Sequence, residues 1–224
     1  MRVPSKTILA LAMAGAALSH PLVVRAQQAA VSNPAHTHLG HVADRFRDTP
    51  EGKGLLPTAA GEAAVVVTHA GLMANASDNL DVMKRHAGHV LHAIDPTAVT
   101  EGPGLGYGLR KAAEASAAHI TMAGSAEVAS QNVKTHAQHV ARAARNTVTR
   151  AERIQELAQE IRDATDAAAA AELAAELKTL ADQLVAGSDA NQDGRVGWQE
   201  SEGGLAVAET HVGLMKQGEG LGGS

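Results

Sequence analysis

Residues 61–94 read GEAAVVVTHAGLMANASDNLDVMKRHAGHVLHAI, and this stretch decides the fold class. Val65, Val66, Leu72 and Met73 lie on one helical face of its first half, and Val82, Met83, Val90 and Ile94 on one face of its second. Between them Asn75, Ser77, Asp78 and Asn79 are turn and cap formers. The spacing predicts a helical hairpin closed by Asp95-Pro96.

Working outward, the hairpin repeats. His69, His86 and His89 recur after 50 residues as His119, His136 and His139, and Lys84, Ala87 and Val90 recur as Lys134, Ala137 and Val140. The second copy turns near Gly124-Ser125. A third copy is split between the chain ends. His38-Leu-Gly-His41-Val42 repeats the pattern of His86 to Val90, and Thr210-His211-Val-Gly-Leu-Met215 that of Thr68 to Met73. The N- and C-terminal helices are therefore expected to pack together and rebuild the unit. Further helices follow through Ile154, Leu157 and Ile161 and, after Thr165-Asp166, through Leu173, Leu177, Leu180 and Leu184. No sustained period-2 alternation occurs, so strands are not expected. The Gly-rich run 102–108 has no Lys-Ser/Thr ending and follows no strand, and so reads as a linker.

The expected architecture is an all-α bundle of duplicated His-containing hairpins with a single loop-and-helix unit near the C-terminus. Its regions are a leader over 1–26, the His-rich hairpins over 27–147, a long helical pair over 148–187, the loop and its exiting helix over 188–216, and a frayed tail over 217–224.

Composition narrows the function. The 224 residues carry 19 Lys+Arg against 24 Asp+Glu, a net charge of −5, with one each of Trp, Tyr and Phe, which disfavours nucleic-acid binding. With no cysteine there is no disulfide scaffold, thiolate metal site or cysteine nucleophile. Arg2 and Lys6, the apolar run Thr7 to Leu18 and Val24-Arg25-Ala26 before Gln27 read as an export signal. The run is shorter than the ~20 residues that span a bilayer, and no later segment reads as a span, so a periplasmic or secreted protein without stable membrane insertion is expected.

Two signals carry chemistry. In 189–200, Asp189, Asn191, Asp193, Gly194 and Glu200 satisfy D-x-[DN]-x-[DN]-G-x5-E. A hard cation such as Ca²⁺ gathers oxygens. Asp189, Asn191 and Asp193 would offer side chains, Arg195 its carbonyl, and Glu200 a closing carboxylate, while Gly194 permits the turn and water replaces the absent side chain of Gly197. This segment resembles the EF-hand calcium-binding loop, which implies a flanking helix on each side and calcium as ligand.

The second signal is the histidines. The midpoint of His69 and His86 falls in the turn at Asn75 to Asn79, so an antiparallel hairpin brings them to one height, with His89 a turn from His86. The same reasoning joins His119 to His136 and His139, and the split third copy, rebuilt by packing of the terminal helices, would bring His38 and His41 to His211. Met73, Met122 and Met215 lie one turn from His69, His119 and His211. Imidazole suits Cu, Zn, Ni and Fe, and a thioether leans toward copper. Glu-x-x-His and His-Glu-x-x-His motifs are absent, which disfavours a di-iron bundle or a zinc protease. The segments Thr-His-Ala and His-Ala-x-His-Val, over Gly61 to Asn146, resemble the periplasmic small metal-binding protein family, which implies His-bearing hairpins that hold copper or other divalent metals. The expected function is non-enzymatic binding of metal ions: Ca²⁺ at the loop, and copper before zinc or nickel at the clusters. The alternatives are a redox protein with a His-ligated haem or metal, and a helical module whose histidines only pack. His36 and His92 fall outside the repeat and are expected to be exposed.

Overall fold

In the computed structural model the described residues are Met1, 33–199 and 201–222. The export signal lies outside them apart from Met1. Seven α-helices follow in order: α1 Pro34–Ala43, α2 Leu55–Ala74, α3 Leu80–Ile94, α4 Leu109–Ser125, α5 Gln131–Asp163, α6 Ala167–Ala186 and α7 Leu205–Gly218, with a short 3-10 turn at Pro50–Gly52. The protein is all-α, and no strand occurs among the described residues.

Short polar side chains start the helices where the sequence changes period. Asn33 accepts from the amides of Ala35 and His36, with Pro34 at the first helical position. Asn79, Ser130 and Asp166 accept from Val82, Val133 and Ala169. Each such cap contributes about 1 kcal/mol. Helix α5 runs unbroken through Asn146, Thr147 and Val148, across the expected boundary between the hairpins and the long helical pair. It packs against α3, α4, α6 and α7, and so forms the bundle's central strut. Helix α7 continues through Gln217 into the segment expected to fray.

The core is built from Ala, Leu, Ile, Val and Met. Helix α5 buries Ile154, Leu157 and Ile161, and α6 buries Ala170, Ala174, Leu177, Ala181 and Leu184. Alanine lets helix axes approach closely, and the larger side chains fill what remains. Contrary to the sequence expectation, α2 is long and apolar enough to cross a bilayer by length and composition. It packs against α1, α3, α4 and α6. It also buries Glu62, whose carboxylate accepts from the amides of Leu105, Tyr107 and Gly108. The Gly-rich run read as a linker is thereby fastened to the core.

Candidate metal centres

Three groups of three histidines converge, each with one ring nitrogen per residue within 4.8 Å of the others. They are His69, His86 and His89 between α2 and α3; His38, His41 and His119 between α1 and α4; and His136, His139 and His211 between α5 and α7. In every case one helix supplies two histidines three residues apart and a second helix supplies the third.

The first group is the one the sequence predicted. The other two exchange a member. His119 does not meet His136 and His139 across the α4–α5 turn, but joins His38 and His41. His211 does not meet His38 and His41, but joins His136 and His139. The midpoint rule sets the height of two residues in a hairpin and leaves their azimuth open. Helices α4 and α5 meet closely at Gly124, where a Cβ would come within 2.8 Å of the Ala137 Cβ. His119 lies five residues before Gly124, about 140° around the helix at 3.6 residues per turn, and so faces away from α5. There it meets α1.

The three groups share a geometry. The Nδ1 atoms of His69 and His86, of His38 and His119, and of His136 and His211 are each 2.9 Å apart, one ring donating and the other accepting. A second Nδ1 contact of 3.3 Å joins His89 to His69 and His41 to His119. A neutral imidazole carries one N–H, so the shared nitrogen of His69 or His119 cannot serve both neighbours at full strength. A cation at the focus serves all three lone pairs. Ligand nitrogens ~2.05 Å from a tetrahedral ion stand ~3.3 Å apart, within a few tenths of an ångström of the observed spacings. Three protein nitrogens leave a fourth position open to water or another ligand.

The electrostatics favour the neutral form of seven of these rings. Burial first, and the neighbouring imidazoles second, push His69 and His211 down to about 4. Burial is also the leading cause that lowers His38, His86, His89, His119 and His139. Neutral imidazole is the metal-binding form, so the ligands stay available below the usual range for histidine.

Of the methionines, Met73 and Met215 are fully buried in the core, whereas Met122 is 49% exposed. His92, expected at the surface, is buried, and its Nδ1 donates to the Val99 carbonyl at 2.7 Å. His36 is half-buried against Glu219, 2.9 Å from its carboxylate. Two neighbours of the triads are not announced by the repeat. Phe46 stands edge-on to His41 and His119, with centroids 5.4 and 5.1 Å away. Trp198 lies flat on His139, centroids 4.1 Å apart at 18°. They are the chain's single Phe and single Trp, and that scarcity was the available signal.

The acidic loop spans the gap between α6 and α7. The Asp189 carboxylate accepts from the amides of Asp193 and Gly194, and the Asp193 carboxylate from the amide of Arg195. The Asn191 side-chain oxygen accepts from the Asp193 amide. Gly194 has φ +83°, the left-handed conformation that its position in the motif requires. Glu200 lies outside the described residues. The exiting helix, expected directly after the loop, begins only at Leu205. Arg150, buried on α5, holds the end of the loop by donating to the carbonyls of Ser201, Glu202 and Gly203 and to the Ser188 hydroxyl.

No protein-family model matches the chain, and neither a curated protein nor a solved structure matches it.

Proposed function

We propose that this protein is an exported metal-binding protein that takes one transition-metal ion at each His triad, three per chain, and serves as a buffer or carrier rather than an enzyme. The observation that carries the reading is the recurrence of one trigonal arrangement, with the same 2.9 Å Nδ1 contact, at three different helix pairs. Histidines that only fill space need to satisfy volume and one hydrogen bond each, and that requirement does not reproduce a three-nitrogen focus three times. A bis-His haem needs a macrocycle between its two axial imidazoles, whereas the His69 and His86 rings are in direct contact, Nδ1 to Nδ1 at 2.9 Å with centroids 5.0 Å apart. Affinity for imidazole sites rises through nickel to copper and falls at zinc, which puts copper first.

Elemental analysis and calorimetric titration of the purified protein test it. Three equivalents of Cu²⁺ or Zn²⁺ are expected at micromolar concentration; fewer than one equivalent refutes the reading.

Calcium at Asp189, Asn191, Asp193, Arg195 and Glu200 is a second reading. The left-handed Gly194 and the carboxylate of Asp189 folded over the loop amides support it. A lone loop of this composition belongs with weak sites, roughly 10⁻⁴ to 10⁻³ M.

A further inference from the structure

The three triads share a ligand geometry and differ in what covers them. His69, His86 and His89 touch no aromatic ring but one another: the chain's only Phe and Trp lie at the other two sites, and its only Tyr, Tyr107, lies under Lys111. Phe46 walls the His38/His41/His119 site edge-on. At the third site the cover is face to face. The indole of Trp198 is 18° from parallel to the His139 ring at 4.1 Å, a separation that admits no water between them. The His139 Nδ1 beneath is buried and makes no hydrogen bond, whereas its counterparts His89 and His41 both do. A buried imidazole nitrogen without a partner is costly unless a ligand completes it.

Trp198 is also held in place. The guanidinium of Arg142 lies over its ring, 5.4 Å from the centroid. The loop that carries it is fastened on both sides. The Gly197 amide donates to the buried Glu202 carboxylate at 2.8 Å, the Ser188 amide donates to the Glu202 carbonyl at 2.9 Å, and Arg150 and Asn146 on α5 donate to the carbonyls that follow. His139, Arg142, Asn146 and Arg150 succeed one another at spacings of three, four and four, one face of α5. The same helix face therefore supplies metal ligands at one end and moors the loop at the other.

We propose that Trp198 is the lid of the His136/His139/His211 site, and that an ion bound there exchanges more slowly than one at the His69/His86/His89 site, over which no aromatic ring lies. This rests on the triads binding metal. It makes the protein a carrier with one ring-capped site and one without a cap, in which the loop segment carrying Trp198 controls release from the capped one.

The test uses the full chain loaded with Zn²⁺ and chased with an excess of a chromophoric chelator. Three equivalents are expected to leave in resolved phases, and His211→Ala is expected to remove the slowest. Trp198→Ala should accelerate that phase about tenfold, the upper end of what one aromatic stacking contact supplies, and leave the other phases unchanged. Trp198→Phe, which retains a flat ring, should fall between. Because Trp198 is the only tryptophan, Cu²⁺ quenching of its emission in the wild-type chain, and loss of that quenching in His211→Ala, reports the site directly. Three bound ions with an unaltered slow phase in Trp198→Ala would overturn the lid while leaving metal binding intact. Absence of bound Zn²⁺ and Cu²⁺ in the wild-type chain would overturn both.

Discussion

Acidification of the metal-free protein from pH 7.5 to 5 should cost it stability through the triads. His69 and His211 take a proton near pH 4 when folded and near 6.5 when unfolded. Between those values the unfolded chain binds more protons than the native one, so the stability that these groups contribute is complete above pH 6.5 and is lost as pH falls. At pH 5 the difference amounts to ~2 kcal/mol per residue, and about half of that once solvent screening of a half-buried ring is allowed for. The two residues together give about 2 kcal/mol, and the lowered His38, His86, His89, His119 and His139 act in the same direction. Against a total of about 5–15 kcal/mol that loss is readily measured. Urea denaturation with a chelator present, at half-unit steps of pH, is the assay, since the carboxylates stay largely ionised down to pH 5. His69→Gln and His211→Gln should each flatten part of the slope. A stability that is level or rises as pH falls from 6.5 to 5 would show that the rings titrate as if in water, and the desolvated-triad picture would be discarded.

The exchanged partners can be checked by counting ions: His119→Ala and the double variant His38→Ala/His41→Ala should lose the same single equivalent, while His136→Ala and His211→Ala lose a different one. If His119→Ala instead abolished the ion lost with His136→Ala, the α4–α5 hairpin would be the true unit. Arg150→Leu removes the charged donor shared by the carbonyls of Ser201, Glu202 and Gly203, each of which keeps a second donor in Ser188 or Asn146, and should lower stability by about 2 kcal/mol in thermal denaturation; a change below ~0.5 kcal/mol would contradict the mooring role. Calcium at millimolar concentration should shift Trp198 emission through the loop, and Asp189→Ala should abolish the shift; an emission unmoved in the wild-type chain argues against a cation there.

The helices were legible because Ala, Leu and Val recur at helical spacing and because Asn79 and Asp166 stand at the breaks, where local chemistry alone sets a helix start. The His69/His86/His89 centre was legible because α2 and α3 present these residues to one another across the turn 75–79, whereas the equally short connection 126–130 joins α4 and α5 in a different rotation. The other centres were not. Their ligands come from helices up to 81 residues apart, and which of them meet depends on the rotation of α4 about its axis, set by the close approach of Gly124 to Ala137. All nine histidines of the repeat fall in the three clusters, and only their grouping differs from the one expected. His92 was misplaced because its partner is a backbone carbonyl, at Val99, that no side-chain pattern announces. Trp198 has no local signal as a neighbour of His139, because it sits in the oxygen-donor loop and the contact bridges segments far apart in the chain.

The exchange of histidines changes what a bound ion does to the chain. At His69/His86/His89 it would join residues 17 to 20 apart, within one hairpin. At His38/His41/His119 it would join residues 78 and 81 apart, and at His136/His211 residues 75 apart. Such an ion acts as a reversible cross-link, and the longer the loop it closes, the more freedom it removes from the unfolded chain. Cargo and clasp are then the same atom, and emptying the two long-range sites would slacken the whole bundle while emptying the short-range one would loosen a single hairpin.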